Sequence, residues 1–151
     1  MGKSLKIDGW QDRLGLTFIY YRSQPFLWGK TDCWCFVSDC VKTQTGINPM
    51  KIVNGLYDTE EKGYKLLQGA VGNDGVYRKF ETEKNFWSHF LGKPKDKNHL
   101  PKFGDIALVK LPRVKKLVAG VVSAFDTVFV NGDKGELLSC PLNRIKVIWS
   151  L

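Results

Sequence analysis

Residues 26–46 read FLWGKTDCWCFVSDCVKTQTG, and the fold turns on them. Asp32 stands immediately before an apolar-periodic run, the place and residue type of a helix N-cap. Cys33, Phe36, Val37, Cys40 and Val41 then share one face at helical spacing, and Gly46 supplies a stop. The spacing predicts a helix over Cys33–Thr45 with a cysteine in its first turn. Unpaired N–H groups and partial positive charge at a helix N-terminus favour a thiolate over a thiol. Cys33 is therefore the candidate nucleophile, and it needs a base from elsewhere in the chain.

Upstream, Asp8-Gly-Trp-Gln11 resembles a capping box, and Trp10, Leu14, Phe18 and Tyr21 recur at helical spacing. They predict a helix over Trp10–Arg22, ended by Gln24-Pro25. Downstream, Asp58-Thr-Glu-Glu61 opens a third helix carrying Tyr64, Leu66 and Leu67. A fourth is expected over 76–91, with Tyr77, Phe80, Trp87, Phe90 and Leu91 as its apolar side. After a polar stretch at 92–102 the pattern changes. Short, mostly β-branched runs occupy 105–109, 117–123, 127–130, 136–139 and 145–149, separated by turn signals such as Asn131-Gly-Asp133. The expected architecture is α+β: a helical part over 8–92 packed on an antiparallel, half-barrel sheet of about five strands over 103–151. The 151 residues suit one domain spanning 1–151.

With 43% hydrophobic and 13% aromatic residues the chain is too apolar to be disordered. It contains no run of about 18 apolar residues, so no membrane span is expected. Its start, MGKSLKIDGW, lacks the apolar core of a signal peptide, and synthesis and retention in a cytoplasm is the expectation. The net charge of +8 concentrates in 92–102 (GKPKDKNHLPK) and 110–116 (KLPRVKK). Such stretches fit an anionic cell wall, phosphate or an acidic partner protein, and they equally fit solvated loops. Aromatic residues do not interleave with them, so nucleic acid is not the expected partner.

The four cysteines, at 33, 35, 40 and 140, invite a metal or disulfide reading. On one helix Cys33 and Cys35 point about 200° apart and cannot share an ion. Cys33 and Cys40 lie roughly 10 Å apart along the axis, beyond disulfide reach, which leaves only Cys140 as a pairing partner. Reduced thiols, no metal and no cofactor are expected.

A cysteine opening a helix, followed by a Gly-Asp strand and an antiparallel sheet, resembles the NlpC/P60 superfamily of cell-wall cysteine peptidases, which share a papain-like fold. Asp32-Cys-Trp-Cys-Phe36 is similar to that superfamily's cysteine signature, and Phe103-Gly-Asp-Ile-Ala-Leu108 resembles the strand that follows it. Closer still is a branch found in tailed phages and prophages beside tail-assembly genes. Its features are matched here by Pro25-Phe-Leu-Trp-Gly-Lys-Thr-Asp-Cys33, Tyr57-Asp-Thr59, Gly120-Val-Val122 and Trp149-Ser150.

The resemblance implies a cysteine–histidine pair, and the chain departs from it there. Val118 occupies the expected histidine position in Leu117-Val-Ala-Gly-Val-Val122. A polar third residue is expected on the next strand, Thr127-Val-Phe-Val-Asn131. The only histidines, His89 and His99, fall in the fourth helix and in the loop after it; His99 is the first candidate base, and His89 is one only if its segment is not helical. Without a base, a thiol of pKa about 8.5 is only a few per cent thiolate at neutral pH.

Two functional expectations follow. One is a structural or assembly protein of the phage tail, at the tip or hub, with a degenerate active site; it would be assembled in the bacterial cytoplasm and end in the virion. There Arg113, Lys115 and Lys116 would dock onto another tail protein, and peptidoglycan is a further binding partner to consider. The other is a cysteine peptidase acting on peptidoglycan peptides, with Cys33 as nucleophile, Trp28 lining a groove and Asp32 fixing the helix start.

Overall fold

The computed structural model describes residues 6–51, 55–68, 82–132 and 137–151. Four helices come first: α1 (Trp10–Arg22), α2 (Cys33–Thr45), α3 (Glu60–Gln68) and α4 (Glu83–Leu91). Five strands follow: β1 (Ile106–Val109), β2 (Val118–Val122), β3 (Thr127–Asn131), β4 (Leu137–Pro141) and β5 (Ile145–Trp149), with a 3₁₀ turn at Leu142–Arg144. This is the expected α+β division, helices before strands. No helix among the described residues is long and apolar enough to cross a membrane.

The helix ends have local causes. Asp32 caps α2 by accepting from the Cys35 N–H, and Gly46, at φ +82°, ends it in the left-handed conformation. Thr82 caps α4 by accepting from the Asn85 N–H at 3.1 Å. Thr59 receives the Lys62 N–H at 3.2 Å ahead of α3. The capping box expected at 8–11 does not form. Gly9, at φ +77°, is the N-cap of α1 and has no side chain to offer, while the Trp10 N–H turns back to the Ile7 carbonyl. The part of the fourth helix expected over 76–81, with Tyr77 and Phe80, lies outside the described residues, as do Asp133, Glu136 and the side chain of Leu67.

The sheet runs β4-β3-β2-β1-β5, antiparallel throughout. Strand alternation gives it two apolar faces. Ile106, Leu108, Ala119, Val121 and Trp149 meet Leu14, Phe18 and Tyr21 of α1, Phe36, Val37 and Cys40 of α2, and Phe86 and Trp87 of α4. Ala107, Val109, Val122, Val128, Val130, Cys140 and Ile148 form a second cluster, covered by Leu111 and Leu142. All four cysteines are free.

Gly120 is where β2 and β3 pack too closely for a side chain. A Cβ there would lie 2.7 Å from the Phe129 carbonyl oxygen and from Val128 Cγ1, and 2.8 Å from Val130 Cγ1. Gly120→Ala should therefore lower stability by about 2 kcal/mol through overpacking. Urea unfolding would show a lower midpoint at unchanged slope; an unchanged midpoint would mean the two strands have room to part.

Candidate functional site

The loop ahead of α2 is built around one buried carboxylate. Asp32 is wholly inaccessible to solvent. Its Oδ1 accepts the Cys35 N–H at 2.9 Å; its Oδ2 accepts the Gly29 N–H at 2.7 Å and the Tyr57 hydroxyl at 2.6 Å. Gly29 turns the chain at φ +83°, and a Cβ on it would lie 2.0 Å from the Tyr57 carbonyl oxygen. Three segments thus meet on Asp32, well beyond a helix cap. Thr31 fixes the same loop, receiving the Leu27 N–H at 3.0 Å and donating to the Pro25 carbonyl at 2.6 Å.

Cys33 follows, partly buried against the helix-side core. Burial, then the charges of Glu83 and Asp32, push its thiol well above the ordinary range. The hydrogen bond from the Trp34 backbone acts the other way but is outweighed. The helix start that favours a thiolate in sequence is therefore overruled in the fold by two carboxyls and by desolvation. Cys33 rests as a thiol.

Glu83, in the first turn of α4, is the residue that sequence reading missed. It is 8% exposed; its Oε1 accepts the indole N–H groups of Trp34 at 2.8 Å and Trp87 at 3.2 Å, and its Oε2 receives the Tyr64 hydroxyl at 3.5 Å. Burial raises its carboxyl to about 7; the three donors pull it down, and the Asp32 charge pushes it further up. A cavity of about 370 Å³ opens beside it, lined by Tyr64, Thr82, Lys84, Leu108, Lys116 and Leu117. The only signal in the sequence is the Glu83–Trp87 spacing, which puts a carboxyl and an indole on one helical face.

The other sequence candidates separate. Trp28 packs edge-on against Trp34 at 5.9 Å and Phe26 at 4.9 Å. His99 is engaged elsewhere: its Nε2 lies 2.8 Å from Asp105 Oδ2, which also accepts the Lys102 N–H. Asp105 follows Gly104, whose carbonyl accepts from Gln44 in the last turn of α2. Cys33 opens that helix, about 16 Å away along its axis. The structure does not bring His99 to Cys33. His89 lies on the exposed side of α4.

Val118, the residue at the expected histidine position, does not face the helices. Val118 belongs to the cluster on the far face of the sheet, while Leu117 and Ala119 face the helices. Val121 pairs with Phe129 and Val122 with Val128; the same register, continued, would put Ala119 opposite Asn131. Asn131 is buried, donates to the Thr31 carbonyl just before Cys33, and leaves its Oδ1 without a hydrogen-bond partner among the described residues. The structure thus brings Asn131, and no histidine, to the helix-facing side beside Cys33. Of the basic residues, Arg113 and Lys115 are exposed in the β1–β2 loop. Lys116 instead stacks over the Tyr64 ring at 3.7 Å and pairs with Glu60 at 3.6 Å.

Residues 5–151 match the family model described as a domain of unknown function, DUF6950. No curated protein matches the chain.

Glu83 makes stability depend on pH. Its carboxyl titrates at about 7 in the folded chain and near its ordinary value when unfolded, so between those values the native state holds the extra proton. Its contribution is greatest in acid and is lost as pH rises through about 7. Relative to Glu83→Gln, the wild type should lose about 2 kcal/mol of stability between pH 5 and pH 8. Parallel stability curves for the two proteins would show that Glu83 keeps an ordinary carboxyl.

Proposed function

We propose, on the premise that the chain belongs to the DUF6950 family of unknown function, that it is a structural or assembly protein of a phage tail. Its scaffold is a degenerate papain-like NlpC/P60 fold, docked onto tail-tip or hub proteins. On this reading it is assembled in the bacterial cytoplasm and ends in the virion. The observation that carries the loss of catalysis is the apolar base position. Continued from Val121–Phe129, the β2–β3 register would put Ala119 opposite Asn131, where a histidine could be oriented by the orphaned Asn131 Oδ1. The charged groups that act on Cys33 are the Glu83 and Asp32 carboxyls, and neither histidine is brought to it. The tail assignment itself draws on the motifs from Pro25 to Cys33 and at Tyr57, Gly120 and Trp149.

A cysteine peptidase acting on peptidoglycan peptides is the second reading, and Glu83 favours it. A carboxyl at about 7, close enough to raise the Cys33 thiol, has the pKa of a general base. Proton transfer to it runs uphill, because the thiol is held well above 9. Its oxygens also already hold two indoles and a phenol. The scaffold reading is the better supported.

Purified protein should release no muropeptides from peptidoglycan. Iodoacetamide should alkylate Cys33 at pH 7.5 at least tenfold more slowly than free cysteine, as a protonated and desolvated thiol requires. In the phage, Cys33→Ala should leave infectivity within about threefold of wild type, whereas Arg113→Glu with Lys115→Glu should reduce tail assembly, since charge complementarity steers docking. Cys33-dependent muropeptide release that Glu83→Gln abolishes would establish the peptidase instead.

A further inference from the structure

Helix α1 is apolar on two faces. Leu14, Phe18 and Tyr21 are buried against the core, yet Leu16, Ile19 and Tyr20 are 65%, 62% and 51% exposed. At about 100° per residue, Asp12, Leu16, Ile19 and Ser23 fall within an arc of about 60°, opposite the buried side. Leu16 and Ile19 form the apolar centre of this stripe, and the polar Asp12 and Ser23 close its two ends at spacings of four residues. Gly15 flanks the seam, and a Cβ built on it would meet nothing within 4 Å, so a neighbouring helix can approach closely there.

We infer that this face is the contact between two copies of the chain, with α1 packed antiparallel to α1 across a two-fold axis between Leu16 and Ile19. Under that axis Leu16 of one copy meets Ile19 of the other, twice over, as an isologous interface requires. The charges select the same arrangement. Arg22 lies on the Gly15 flank and comes beside Asp12 of the second copy; Arg13 lies on the opposite flank and meets Tyr20. A parallel pairing would set Asp12 against Asp12 and Arg22 against Arg22. Neither residue forms an ion pair among the described residues, so both are free for a second copy. The inference rests on the helix face alone and does not require the tail reading.

Sedimentation equilibrium of the full chain over roughly 1–100 µM tests it, since a single helix pair of this size belongs to the weaker interfaces. The wild type should show a reversible monomer–dimer equilibrium, and Ile19→Glu should be monomeric. Asp12→Arg and Arg22→Asp should each weaken the dimer about tenfold, and the two together should restore it, as for a close charge pair. All of these side chains are exposed, and circular dichroism would confirm that each variant is folded. A wild type that stays monomeric at the highest concentration overturns the inference and leaves the seam to a different protein. A dimer indifferent to Ile19→Glu, or unrescued by the double swap, places the contact elsewhere and overturns it equally.

Discussion

The Asp32 carboxylate is the contact on which the rest of the site depends. A fully buried carboxylate persists only where donors replace the water it has lost. Here the donors come from the turn before α2, from the first turn of α2 and from Tyr57 ahead of α3. Removing any one leaves a buried charge under-satisfied, so the turn, the helix start and the Tyr57 segment hold one another in place. Gly29 is required by the same closeness, because the Tyr57 carbonyl occupies the space of a side chain.

That architecture also sets the chemistry of its neighbour. A helix N-terminus offers Cys33 a favourable field worth about 1 kcal/mol. Against it stand desolvation and two carboxyls, and the balance leaves a neutral thiol. Position on a helix is thus a weak guide to cysteine reactivity when the surrounding charges are of the wrong sign. Burial brings Glu83 to about half ionisation near pH 7, so the charge around the thiol varies with pH in that range.

Much of the fold was legible because its signals are local. The α2 boundaries follow from Asp32, the apolar spacing and Gly46, and β5 follows from its β-branched run. The antiparallel five-strand sheet follows from turn signals between short runs. What failed depended on facts a sequence does not carry. The left-handed Gly9 took the N-cap position from Asp8, so no capping box forms. In the strand, an offset of one residue inverts the face, and Val118 packs on the side of the sheet away from the helices while Ala119 faces them. Glu83 was invisible because its partners Trp34 and Tyr64 lie on other helices. Lys116 read as a free surface charge, whereas tertiary packing binds it to Tyr64 and Glu60.

The placement of β5 carries a consequence for how the molecule is made. It lies beside β1, not beside β4, its neighbour in sequence. Trp149, at the end of that strand, is fully buried among residues of the helices, and its indole N–H reaches back to the Gly92 carbonyl at the end of α4. As translation proceeds, the helices and the first four strands exist before the side chain that completes their core. Closing the sheet then joins Ile106 to Trp149 across a long loop, a slow and entropically costly step. Until β5 is in place the chain exposes the apolar edge of β1, a template for pairing with other chains.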